Sequence, residues 1–220
     1  MPAVRERPVA RVSRSKSALA RRPAWDVALL FPDQGQWSEV EYLELDSNRL
    51  VEFTDGHIEV LPMPTFSHQR ITHWLLQRLH NFVESRGLGE VLFAPLPIRV
   101  APRIYREPDI LFLATEHADW EEDQCSAGAD LVVEVVSPSN KKRDLVQKRA
   151  EYARAKIPEY WIVNPQDGTV CVLNLKTRVY EERRFVAGEI ATSRVLAGFQ
   201  ISVSDLFNST RKPRERRKRS

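Results

Sequence analysis

Leu131-Val132-Val133-Glu134-Val135-Val136, followed by Ser137-Pro138-Ser139-Asn140, reads as a short buried strand broken by a turn. Six residues is strand length rather than helix length, and branched valines suit a pleated surface. A strand so continuously apolar must be covered on both faces, which sets it inside a sheet with helices beside it. Glu134 is the discordant residue. An ionised carboxylate there is costly unless it is paired or bound to a cation. Taken alone, an ion pair with a nearby arginine or lysine is the commoner arrangement, since structural pairs also perturb carboxylates.

Towards the C-terminus, Ser137 to Asn140 stops the strand and starts a helix from roughly 142 to 155. Leu145, Lys148 and Tyr152 share one helical face, so Lys148 interrupts the inward stripe. Its spacing leaves two arrangements open. One is an exposed i,i+4 pair with Asp144; the other is an ammonium reaching past Leu145 and Tyr152 to the end of the adjacent strand. Tyr160-Trp161-Ile162-Val163 is the next strand, ended by Asn164-Pro165. Two more strands are expected near 169–175 and 178–185, and Phe199 to Phe207 closes the domain.

Towards the N-terminus, Pro108-Asp109-Ile110-Leu111-Phe112-Leu113 is a short buried strand with Asp109 at its mouth. Val91 to Val100 reads as one strand, interrupted at Pro95 and Pro97 as an edge or bulge. Ser67 is placed to cap a helix to about Arg86, with Ile71, Trp74, Leu75, Leu79, Phe82 and Val83 inward and Gly87 after it. Leu50 to Phe53 and His57 to Val60 flank Thr54-Asp55-Gly56 as a hairpin. Ser38 to Glu41 fits a capping box for a helix over about 39–46, with Val40, Leu43 and Leu45 as its apolar residues. Trp25 to Phe31 leads into the fold. This order predicts a mixed α/β fold: a central mixed sheet flanked by helices, with an N-terminal hairpin.

The chain has 220 residues, enough for one domain with tails. We expect a basic disordered tail over 1–24, a folded domain over 25–208 and a second basic disordered tail over 209–220. Residues 1–22 carry seven Lys or Arg against Glu6, and 211–220 carry seven against Glu215. Of the 33 basic and 30 acidic residues, 19 and 28 remain between them, a formal charge of −9. A surface basic throughout is thereby excluded. Nucleic acid would be met by the tails, a local patch or a bound metal ion. A tail that only aids solubility is an equal reading.

No apolar run approaches the roughly 18 residues of a membrane span, and no apolar segment follows the basic N-terminus as in a secretory signal. Cys125 and Cys171 stand far apart, so a cytoplasmic setting is expected. Zinc is unfavoured: His73 and His80 share a helix face but lie about 10.5 Å apart along the axis. There is no Gly-rich phosphate loop and no G-x-S-x-G turn. Tyr160 and Trp161 read as core rather than as a base-stacking platform.

Three residues put charge where the pattern asks for apolar side chains: Asp109, Glu134 and Lys148. Two carboxylates from adjacent strands can hold one Mg²⁺, with waters and phosphate oxygens completing the octahedron. An ammonium beside them can orient a water and offset charge developing in the transition state. That equipment suits phosphodiester hydrolysis.

Pro108-Asp109 with Glu134-Val135-Val136 resembles the PD-(D/E)xK nuclease signature, and the wider text resembles the Uma-two family of putative restriction endonucleases. Carrying the resemblance are Glu52 to Gly56, His68-Gln69-Arg70, Pro108-Asp109, Glu134 to Ser139, Lys148, Tyr152-Ala153 and Ile157 to Trp161. It covers about residues 38–207. It implies a restriction-endonuclease-like fold and an Mg²⁺-dependent endonuclease, with Mn²⁺ as substitute. The substrate it implies is nucleic acid, with DNA inherited from the family. Asp109 and Glu134 are the implied metal ligands, Lys148 the third catalytic residue, and Glu52 and His68 additional site positions. Many superfamily members are dimers, so a homodimer is compatible. Val136 stands where the signature lysine belongs, which implies that the lysine has migrated to the following helix as Lys148. The rival reading is a silent nuclease-like binding or accessory module, favoured if Arg99, Arg103 or Arg106 neutralises the carboxylates.

Overall fold

The computed structural model describes residues 31–47, 49–137 and 146–210. The tails up to residue 24 and beyond 210, most of the lead-in from Trp25, and residues 138–145 lie outside the described residues. Contacts divide the chain into Met1–Asp33, of which residues 31–33 are described, and Gln34–Ser220, which carries every element named below.

Ser38 caps helix α1 (Glu39–Leu43) in the expected capping box: its hydroxyl accepts from the Glu41 N–H, and the Glu41 carboxylate takes the Ser38 N–H at 2.8 Å. The helix is shorter than expected, and Tyr42 rather than Val40 faces inward. Strands β1 (Val51–Thr54) and β2 (His57–Val60) form the hairpin. Asp55 and Gly56 at its turn both have positive φ, 46° and 85°, as a type I′ turn requires. Gly56 is needed twice over, because a Cβ there would stand 2.5 Å from the Gly35 carbonyl oxygen.

The hairpin belongs to a separate four-stranded antiparallel sheet, ordered β2-β1-β5-β4, with β4 (Ile98–Ala101) and β5 (Ile104–Arg106). Val91 to Val100 is therefore not one interrupted strand. Between its two prolines the chain leaves β3 (Gly89–Phe93) and crosses to the other sheet as β4. The prolines supply no ladder N–H, and here they mark a change of sheet rather than a bulge.

The second sheet has six strands in the order β10-β9-β8-β7-β6-β3, with β6 (Ile110–Ala114), β7 (Leu131–Val135), β8 (Glu159–Asn164), β9 (Thr169–Lys176) and β10 (Val179–Phe185). The β7–β8 pair is parallel and its other neighbours are antiparallel, so the sheet is mixed. Parallel neighbours need a long crossover; this one carries helix α3 (Lys148–Arg154). Every residue of β7 is buried, as a strand covered on both faces demands.

Alternation along β7 divides the core. Leu131, Val133 and Val135 pack in a cluster with Ile71, Leu75, Leu79 and Val83 of helix α2 (Phe66–Glu84). Val132 and Val136 pack in a second cluster with Tyr152 and Ala153 of α3. Glu134 shares the second parity, so it points towards α3. Helix α2 starts two residues earlier than a Ser67 cap would set it: Thr65 is the cap, its hydroxyl accepting from the His68 N–H at 3.2 Å. A hairpin of β11 (Ile190–Thr192) and β12 (Gln200–Ser202) and helix α4 (Val203–Asn208) complete the unit. Ser209 is buried and the Thr210 carbonyl accepts from Arg70, so packing runs past the expected boundary at 208.

Candidate active site

Glu134 reaches the α3 face by strand parity, and α3 begins there with Lys148. The ammonium Nζ lies 2.6 Å from Glu134 Oε1 and 3.0 Å from Glu52 Oε1, with the lysine side chain 3% exposed. An exposed Lys148 is thereby ruled out. The carboxylate–lysine pair and the inward lysine, which the sequence left as separate possibilities, prove to be one contact. One helical turn on, the Tyr152 hydroxyl donates to the same Glu134 oxygen at 2.7 Å. Burial and the adjacent Glu134 charge hold that phenol well above its usual pKa, so it stays a donor.

Asp109 precedes β6, and its Oδ2 accepts the Val135 N–H at 2.7 Å. The bond ties it across the β6–β7 pair next to Glu134. His68, third residue of α2, brings Nε2 to 3.2 Å from the same oxygen. Glu52 comes from β1 of the other sheet. All five residues named from the sequence are thus brought together: Glu134 from β7, Asp109 from the residue before β6, Glu52 from a strand of the other sheet, and His68 and Lys148 from two helices.

A cleft of about 250 Å³ opens over them, lined by His68, Glu107, Asp109, Glu134 and Lys148 and walled by residues 61–65, Ser137, Pro165 and Gln166. Glu107 was not nominated. Its carboxylate accepts the Val51 N–H at 3.1 Å. Burial pushes its pKa up to about 7, against that N–H bond and Lys148, both of which favour the charged form. A buried acid two positions before Asp109 was visible as text, but strand parity is not legible through Pro108.

Arg106 is a candidate neutraliser of Asp109 and Glu134. Fully buried, it instead forks onto Glu151 of α3 at 2.7 and 2.8 Å, approaches Glu52 at 3.6 Å, and donates to the Phe53 and Tyr105 carbonyls. Arg99 pairs with Glu122 and Arg103 with Asp55. Arg106 therefore fastens the first turn of α3 to β1 and β5, and with it the base of Lys148.

The donors suit a hard cation in kind. Glu52, Glu107, Asp109, Glu134 and Glu151 supply five carboxyl groups against the two guanidinium and ammonium groups of Arg106 and Lys148. Among the described residues, however, no three His, Cys, Asp or Glu side chains form a ready cage. Magnesium rarely uses one; it takes one or two carboxylates and completes its shell with water and phosphate oxygens. The residues fit an ion shared with a substrate, and not a closed structural metal centre.

A family profile, Uma2, described as "Putative restriction endonuclease", matches residues 32–204. Among solved structures, the chain is similar to a putative nuclease belonging to DUF820 from Anabaena variabilis. The TM-score is 0.67 at 19% identity, covering 81% of this chain and 99% of that one. At that identity the likeness establishes the fold. No curated protein matches. Among the described residues, no helix is long and apolar enough to cross a membrane.

Proposed function

Because the chain belongs to the Uma2 family of restriction-endonuclease-like proteins, we propose that it is a metal-dependent endonuclease that hydrolyses phosphodiester bonds in DNA. Asp109 and Glu134 would hold Mg²⁺ or Mn²⁺, which supplies Lewis-acid polarisation of the phosphate and a more acidic bound water. The observation carrying this reading is the 2.6 Å contact of Lys148 with Glu134 in a cleft that also contains Asp109.

The chain's own residues have separable tasks. The Val135 N–H and His68 restrain Asp109 through Oδ2. The Tyr152 hydroxyl and Lys148 fix Glu134 through Oε1. Lys148 donates hydrogen bonds to an attacking water and to the phosphoryl oxygen that gains charge. A preformed donor requires little reorganisation. Residues 61–65 and Pro165 restrict solvent on either side.

A second reading, a catalytically silent nucleic-acid-binding module, draws on Lys148 already compensating Glu52 and Glu134. Plasmid and linear duplex cleavage with Mg²⁺, Mn²⁺ or EDTA separates the two, using wild type, Asp109→Asn and Glu134→Gln. The nuclease reading expects metal-dependent nicking that EDTA and either substitution abolish. Cutting that survives both substitutions would remove these carboxylates from the chemistry. DNA binding without cutting under every metal would establish the silent module.

A further inference from the structure

Residues 61–64, His68 and Asp109 line two adjoining clefts. One contains the charged side chains described above. The other, about 360 Å³, is lined beyond those shared residues by Arg49, Gln69, Thr72, Phe93 and Pro95. Its volume falls in the roughly 300–1,000 Å³ range of clefts that take small organic groups. Phe93 is held in place by the sheet: it pairs opposite Ile110, and the next N–H, of Ala94, donates to the Asp109 carbonyl at 3.3 Å. Phe93 is nevertheless 57% exposed and Met63 64% exposed. Apolar surface left open beside a buried charged site marks a place for a ligand. At the rim, Arg49, Gln69 and Thr72 supply hydrogen-bonding groups.

We propose that this second cleft is a nucleobase subsite, taking the base of a nucleotide next to the scissile phosphate. The proposal rests on the nuclease reading and extends it to substrate class. A nucleotide whose phosphate lies at Asp109 carries its sugar and base a few bonds away, where the lining changes from carboxylates to Phe93 and Met63. The base would stack on Phe93 and present its edge to Gln69 and Arg49. A paired base in duplex DNA cannot do this without leaving the stack, at an unstacking cost that an unpaired base avoids. The favoured substrates are therefore single strands, or duplexes with an unpaired nucleotide at the cut site. Because every base has an aromatic face, the subsite selects for unpairing more than for sequence.

The test is fluorescence anisotropy on four labelled DNAs, with Ca²⁺ replacing Mg²⁺ to keep them intact. They are a single strand, a fully paired duplex, that duplex with one unpaired nucleotide, and its counterpart lacking only that nucleotide's base. The last two carry the same number of phosphates, so nonspecific contact by the basic tails cancels between them. We expect the unpaired base to bind about tenfold more tightly than its abasic counterpart. Phe93→Ala and Met63→Ala, both at exposed positions, should shrink that difference, and Phe93→Ala, outside the charged cleft, should leave the paired duplex unchanged. Equal binding of the two, or a difference untouched by both substitutions, would overturn the subsite. Cleavage of the same DNAs with Mg²⁺ keeps the two claims apart. Base preference without cutting supports the subsite and counts against the nuclease reading; cutting without base preference does the reverse.

Discussion

The decisive residues carry charge into the interior, and each is tied to another. Arg106 has no exposed surface, and its fork on Glu151 is geometry that a lysine cannot reproduce. Removing one member of a buried pair is far more damaging than replacing both, because the remaining charge keeps its desolvation cost. We therefore predict that Arg106→Met destabilises the protein by about 3–5 kcal/mol in urea unfolding. Arg106→Met combined with Glu151→Leu should lose clearly less than the sum of the two single effects, and strict additivity would show that the fork is not an energetic unit. At this scale the sequence was most informative. Asp109, Glu134 and Lys148 broke an apolar pattern, and all three line one cleft. Glu107 was hidden because it sits between a three-residue strand and Pro108, where no period is long enough to reveal which side chain turns inward, and the same short strand concealed that Arg106 pairs with Glu151.

Elements were legible where a local rule decides their ends, and less so where tertiary contacts do. The capping box at Ser38 and the Asp55-Gly56 turn follow from chain chemistry within four residues. Two hydroxyl residues, Thr65 and Ser67, stood near the start of α2, and the packed register chose Thr65. Thr65→Ala should cost about 1 kcal/mol of stability, whereas Ser67→Ala should stay within roughly 0.5 kcal/mol; the reverse ranking in thermal unfolding would contradict the cap. The 3₁₀ segment Thr115–Trp120 offers a pH-dependent check. His117 Nδ1 lies 2.8 Å from Asp130, its ring stacks on Trp120, and the other Asp130 oxygen accepts the Ala114 N–H. The Asp130 hydrogen bond, opposed by slight desolvation, raises the His117 pKa above 6.5. Its stabilising contribution is fully present below 6.5 and is lost as pH rises through the raised value. Melting temperatures of wild type and His117→Asn should converge across that interval, and an NMR titration of the imidazole should show an inflection above 6.5. A gap that widens with pH would refute the pairing.

At the scale of the molecule, a mixed sheet between helices was readable from the order of strands and helices, and the family profile and the structural likeness agree with it. What the order could not give was partition. The hairpin, β4 and β5 form their own sheet, and Val91 to Val100 is shared between the two. Sequence periodicity records which face of a strand is apolar and says nothing of which strand lies beside it. That partition matters for the site, since Glu52 and Arg106 arrive from the smaller sheet to meet Lys148, Glu134 and Glu151 of the larger assembly. Lys148 sits on a helix that crosses back over its own strand, and the four-stranded sheet holds that helix through the fork of Arg106 on Glu151.

The most direct test of this account is the rate of Mg²⁺-dependent DNA cleavage by Lys148→Ala against wild type, with circular dichroism confirming that the variant is folded at the assay temperature. We predict a fall of about 10²–10³-fold, the usual cost of removing one preformed donor from a site of developing negative charge. A folded Lys148→Ala protein that cuts within a few-fold of wild type, while Glu134→Gln is inactive, would contradict it: the carboxylates would then act without the helix-borne lysine.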